Sequence, residues 1–273
     1  MAVPDLGGYT LPPVVEVVAA VRFVDLPPVI SAGLGEFWRS RLAAELPDFT
    51  AQPPYQAPVE QFDRRFSTPE FSLDVTNIPP LPRFWFSAAS GDELVQLQPN
   101  WLACNWRKVT PDARYGRWRL RRGAFLQHYR KLSDWVEERG APITPNQCEV
   151  TYINHIYPIP NVWSKHAEAH KVFRGIQPIE LPEGIQAEQA VWQAQYLLGA
   201  ENETMGRLHV KVQPAFSLKG DVPIFVMELT ARGAPPTPSL DGVMEFLDQG
   251  RHAVVTMFGR TTTPEAHEEW GKE

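Results

Sequence analysis

From Val14 to Val24 the chain reads Val-Val-Glu-Val-Val-Ala-Ala-Val-Arg-Phe-Val, a nearly continuous β-branched run. Such a run predicts a strand covered on both faces. The period then changes. Leu34, Trp38, Leu42 and Leu46 recur every four residues and stop at Pro47, which predicts a helix over 34–46. Five segments follow, 55–62, 69–76, 83–89, 93–98 and 101–109, separated by Pro and Gly, and together they predict an antiparallel meander. Phe125, Tyr129, Leu132 and Val136 keep helical spacing, so a helix over 115–139, stopped by Gly140, closes the first half.

The second half repeats this order more loosely, with strands predicted at 147–157, 187–199, 206–214 and 222–232 and a short helix at 163–174. In 206–214, Leu208, Val210 and Val212 alternate with Arg207, His209 and Lys211, so one face is read as wet. A final long helix starts after Ser239, with Leu240, Val243, Met244, Leu247, Val254, Val255 and Phe258 on its inner side. Thr263 before Pro264 predicts a last short helix that docks Trp270 on the body or offers it to a partner chain. The expected fold is α+β: two antiparallel-sheet halves, 1–140 and 141–273, each curled around a long helix in a β-α-β(n)-α order. One fused sheet is the open alternative.

Composition narrows the function classes. With 273 residues, 43% hydrophobic and 11% aromatic, the chain can bury enough apolar surface to offset its conformational entropy, which excludes a disordered protein. No basic-then-apolar leader opens the sequence, and no run approaches the roughly 18 apolar residues of a membrane span. A cytoplasmic address without a membrane partner is therefore expected. Cys104 and Cys148 sit far apart in apolar runs and are read as reduced core thiols. His166 and His170 stand four apart with Glu168 between them. In the zinc-protease pattern the glutamate directly follows the first histidine, so these are read as exposed helix residues. No cofactor, metal or catalytic motif is legible, and no cofactor is expected.

Charge is the sharpest anomaly. Between Arg107 and Lys131 nine cations, among them Arg107, Arg114, Arg117, Arg121 and Arg122, face the single acid Asp112, in a chain of net charge −6. A basic segment in an acidic protein suits nucleic acid or another polyanion, with Trp106, Tyr115 and Trp118 available to stack on bases. The charges at 117, 119, 121 and 122 do not share one helical face, which favours a solvated or internally paired surface. Asn105 and Asn154 interrupt apolar strands. Each must find partners, either by tying the sheet to a neighbouring element or, together with Arg107, by fixing a ligand. Glu16 and Arg22 interrupt the first strand in the same way and are read as paired charges.

Several dispersed residues carry a resemblance: Pro13, Val14, Val15, Glu16, Val17, Val18, Val21 and Phe23; residues 83–86 and 94–107; Tyr115 and Trp118; the Thr151-Tyr152-Ile153-Asn154 strand; and residues 248–252 with Phe258, Thr262, Glu265 and Trp270. On these, nearly the whole chain resembles a sporadically distributed bacterial family of unknown function. The resemblance implies no activity. It implies a stand-alone accessory protein of the mobile, defence-associated kind.

The expectation is an interaction or regulatory protein that acts through a partner protein and self-associates as a homodimer, rather than an enzyme. Two alternatives stay open: nucleic-acid or polyanion binding through 107–131, and small-molecule binding on a concave sheet.

Overall fold

The computed structural model describes residues 8–62, 81–110, 113, 115–200, 203–218 and 220–272. Its strands are β1 (Val14–Phe23), β2 (Asp48–Gln52), β3 (Arg83–Ser87), β4 (Glu93–Gln98), β5 (Trp101–Arg107), β6 (Pro145–Ile156), β7 (Trp192–Ala200), β8 (Glu203–Phe216) and β9 (Pro223–Gly233). Its helices are α1 (Pro28–Ser31), α2 (Leu34–Phe37), α3 (Arg117–Glu137), α4 (Leu240–Thr261) and α5 (Pro264–Glu269), with a π-helical turn at Trp38–Leu42 and a 3-10 helix at His166–Lys171.

All nine strands form one antiparallel sheet in the order β2-β3-β4-β5-β1-β6-β9-β8-β7. This replaces the picture of two separate sheet halves. The α+β class stands, and β1 fuses the sheet by pairing with β5 on one side and with β6 on the other, from Val14 opposite Asn154 to Phe23 opposite Pro145. A β-branched strand without an interior proline accepts ladders on both edges, as a central strand must. Counted outward from the β1–β6 joint, the two halves share one pattern: first strand, last strand, then the others in descending order.

Helices α3 and α4 cover one face. Val17, Ala19, Val21 and Phe23 of β1 join Phe125, Tyr129, Leu132 and Trp135 of α3 and Val243, Phe246, Leu247 and Val254 of α4 in one core. Each such large side chain contributes roughly 1.5–3 kcal/mol on burial. Gly250 brings α4 close to the sheet, since a Cβ there would lie 3.2 Å from that of Ala231. Trp270, which caps α5, is buried against Phe258 and Tyr9. No helix among the described residues is long and apolar enough to cross a membrane.

Local departures have local causes. Residues 55–62 form no strand, because Pro53, Pro54 and Pro58 withhold ladder donors. The helix expected over 34–46 tightens into α2 and then widens into the π turn, where Trp38 Nε1 donates to Leu46 O at 2.8 Å. The 163–174 helix is confined to the 3-10 helix, where Glu168 accepts from the backbone N–H of Ser164 and Lys165. The strand expected at 69–76 lies outside the described residues.

Candidate functional site

The sheet's second face, away from α3 and α4, is polar. Register places Glu16, Val18, Ala20 and Arg22 of β1 beside Arg107, Asn105, Ala103 and Trp101 of β5, and beside Ile153, Thr151, Glu149 and Gln147 of β6. Further out lie Gln96 and Gln98 of β4, Trp85 of β3, Glu228, Thr230 and Arg232 of β9, and Arg207, His209 and Lys211 of β8. Many of these polar side chains are nevertheless buried: Gln96, Gln98, Asn105, Gln147, Thr151 and Thr230 all have little exposure.

Residues 53–62 explain part of that burial, because they cross this face as a strap. Tyr55 N donates to Gln98 Oε1 (3.1 Å), and Gln98 Nε2 returns a bond to Tyr55 O (2.8 Å). Gln147 repeats the arrangement, accepting from Glu60 N (2.9 Å) and donating to Pro58 O (2.7 Å). Two glutamine side chains thus supply the amide partners that a proline-broken ladder cannot. The Tyr55 ring packs on Trp101 with centroids 5.2 Å apart.

The strap ends in an ion cluster. Glu60, whose side chain is 6% exposed, accepts from His209 Nε2 (2.5 Å), Arg232 Nη1 (3.2 Å) and Arg207 Nη1. Arg232 Nε donates to Glu149 (2.6 Å), and Arg207 lies over the Phe62 ring. Burial pushes the Glu60 carboxyl up, but His209, Arg232 and Arg207 outweigh it and hold the group below its ordinary range. Burial alone would lower Arg232, yet Glu149 and Glu60 raise it. The cluster is therefore an ionised anchor. Between it and the joint, the Thr151 and Thr230 hydroxyls meet at 2.8 Å.

The residues singled out in the sequence divide between the two faces. Asn105 and Arg107 lie together on the open face: Asn105 Nδ2 donates to Glu16 Oε1 (2.6 Å), its Oδ1 accepts from Gln96 Nε2 (2.9 Å), and Arg107 Nη2 donates to Gly91 O (3.0 Å). Asn154 stands on the helix side and donates across the sheet to Met227 O (3.2 Å). Arg117, Arg121 and Arg122 belong to α3, across the sheet from Arg107. Arg121 pairs with Glu93, Arg122 forks onto Asp248 (2.9 and 3.0 Å), and Lys131 reaches Glu45 (2.6 Å). Arg119 and Arg130 of the same helix are exposed. Arg114 lies outside the described residues.

Glu60, Gln98, Gln147, Arg207, His209 and Arg232 were not singled out. The alternation of Arg207 and His209 with Leu208 and Val210 was visible, but the same pattern describes a wet face and a face crossed by a strap. His166 Nε2 donates to the sheet carbonyls Ala215 O and Ile224 O (3.1 and 3.0 Å). Among the described residues no group of His, Cys, Asp and Glu is placed to hold a metal ion. Cys104 and Cys148 are free thiols, pushed up by burial.

Aromatic and acidic side chains of four elements meet on the helix side. Trp118 Nε1 donates to Asp248 Oδ1 at 2.8 Å, the hydroxyls of Tyr115 and Tyr152 lie 2.7 Å apart, and Tyr115 packs on Trp106. They join α3, α4, β5 and β6 around the sheet joint. The void between α3 and β4–β5, lined by Glu93, Cys104, Asn105, Trp106, Arg121 and Ala124, holds about 10 Å³, at the lower limit for one water. No protein-family model matches the chain, and no curated protein or solved structure matches it.

Proposed function

We propose that this chain is an interaction protein that engages a partner protein by lending it the free edge of strand β7. One observation carries the reading. β7 runs for nine residues without a charge or a proline, and among the described residues it pairs only with β8. Natural edge strands are normally guarded by charge, proline, brevity or a bulge, and Trp192–Leu198, up to the bulge at Leu198/Gly199, has none of these, so this stretch suits strand addition by another chain. Tyr196 and Leu197 on it are 39% and 65% exposed, and Ile179, Ile185 and Val191 in the chain leading into it are exposed as well. The accessory, defence-associated role implied by the family resemblance is compatible with such a partner. The polyanion reading has less support, because Arg121, Arg122 and Lys131 already pair with acids.

Purification from the native host tests this with the wild-type chain and a Tyr196→Lys, Leu197→Lys double variant. Both positions are exposed, so the variant is expected to keep the wild-type circular dichroism. A partner that copurifies in stoichiometric amount with the wild type and is lost from the variant supports the reading. A wild-type chain that carries no such partner, or a variant that retains it, overturns it.

A further inference from the structure

On the open face of β3, β4 and β5, four buried polar atoms have no hydrogen-bond partner among the described residues: Arg83 Nε, Trp85 Nε1, Gln96 Oε1 and Arg107 Nε. Native structures leave few such atoms unpaired, because each costs the desolvation of its group. Others lie elsewhere, at Arg121, His128, Trp135 and Trp163, but these four sit on neighbouring strands of one face. Trp85 stands opposite Gln96 in register, and the guanidinium carbons of Arg83 and Arg107 lie 5.4 and 5.8 Å from the centroid of the Trp85 ring. Three donors, two of them on cationic side chains, and one acceptor therefore lie on side chains grouped around the Trp85 ring.

The acceptor is not an accident of amide orientation. The Glu16 carboxylate, when ionised, can only accept, so Asn105 must turn its Nδ2 towards it. That leaves Asn105 Oδ1 facing Gln96, which must answer with Nε2. Gln96 Oε1 is then directed away from the relay with no partner, on a side chain that is only 6% exposed in its residue as a whole. The carboxylate thus sets the direction of both amides, which hydrogen-bond networks rather than local preference decide.

We propose that Arg83, Trp85, Gln96 and Arg107 form a binding site for an oxyanion, a phosphate or carboxylate group. Its oxygens accept from the two guanidiniums and the indole N–H, and a neighbouring O–H or N–H of the ligand donates to Gln96 Oε1. Guanidinium groups suit such oxygens in charge and fork geometry. Glu16 and Asn105 hold Gln96 in the required direction. The site lies on the opposite side of the β1–β6 joint from β7 in the strand order, so it stands or falls independently of the partner-strand reading.

Calorimetric titration of the full chain tests the proposal with inorganic phosphate, acetate and a short single-stranded oligonucleotide as probes. Saturable binding of a free anion is expected. Binding of the oligonucleotide alone would assign the same site to phosphates carried on a polymer. Arg107→Lys keeps the charge but loses the Nε donor, and Trp85→Phe keeps the ring but loses the indole N–H; each is expected to weaken binding about tenfold, the equivalent of one charge-assisted hydrogen bond. Arg119→Gln, on exposed α3 surface across the sheet, should bind as the wild type does. The variants are compared only where near-ultraviolet circular dichroism matches the wild type, and Trp85→Phe serves if Arg107→Lys does not fold. No saturable binding of any probe to the wild type, or unchanged affinity in the folded variants, overturns the proposal.

Discussion

Gln98 and Tyr55 hold each other through two hydrogen bonds, the tyrosine N–H donating to Gln98 Oε1 at 3.1 Å and Gln98 Nε2 donating to the tyrosine carbonyl at 2.8 Å. A side-chain amide here does what a neighbouring strand's backbone does in a ladder. Gln147 does the same for Pro58 and Glu60, so two glutamines fasten a proline-broken segment to a sheet it cannot join.

Removing one of these fasteners should loosen the strap without unfolding the sheet. Gln147→Ala leaves Pro58 O and Glu60 N without their partner and is expected to cost about 1–3 kcal/mol. Urea denaturation reads the loss, and hydrogen exchange at the Glu60 amide should accelerate more than at core amides of β1. Unchanged exchange at Glu60 would show that Gln147 is not what holds it.

The strap's anchor predicts an acid-sensitive contribution. The Glu60 carboxyl is held below its ordinary value of 4.5 because His209, Arg232 and Arg207 outweigh its burial. A carboxyl with a depressed folded pKa adds stability that is present above the unfolded pKa and lost as pH falls through the folded one. Glu60→Gln should therefore be less stable than the wild type by about 3 kcal/mol near neutrality, with the gap closing below about pH 4. A gap that stays constant from neutrality to pH 3 would contradict this.

His128 of α3 works at higher pH. Burial, reinforced by the Lys131 charge, lowers it from 6.5 to about 4. The unfolded chain thus takes up this proton first, and stability should fall as pH drops from 6.5 towards about 4, then level off for this group. The full contribution is about 3 kcal/mol. His128→Gln is expected to flatten that part of the curve in a pH series of denaturation midpoints, and a curve of unchanged slope would rule His128 out as its source.

Asp248 joins α4 to α3 by accepting from both Trp118 Nε1 and Arg122. Asp248→Ala is expected to cost about 1–2 kcal/mol, less than a fully buried pair because water reaches both side chains. A double-mutant cycle with Trp118→Phe should show coupling of about 1 kcal/mol. Additive losses would mean that the indole bond adds nothing. For the same reason Arg121→Glu or Arg122→Glu would set carboxylate against carboxylate and disturb the fold, so a test of polyanion binding on α3 belongs at Arg119 and Arg130, which are exposed.

Local periodicity was a reliable guide wherever a segment's own side chains decide its structure. The run at Val14–Phe23 became the central strand, and the spacing of Phe125, Tyr129, Leu132 and Val136 became α3. The nine cations were equally visible in the sequence, and so were Asn105 and Arg107.

What the sequence by itself determined, then, is the central strand, the two long helices and most of the strands, the α+β class and the identity of the unusual polar residues. Tertiary structure alone decided that β1 and β6 fuse the sheet, that 55–62 is a strap rather than a strand, and that Glu60 finds Arg207, His209 and Arg232 some 147–172 residues away. It also set Arg107 apart from the α3 arginines by a sheet and directed Gln96 through Asn105 to Glu16. The physical reason is that a period of two or of 3.6 reports only which residues share a face. Which distant segment covers that face, and which way an amide turns when it gets there, depend on charges and hydrogen-bond partners brought together by the completed sheet.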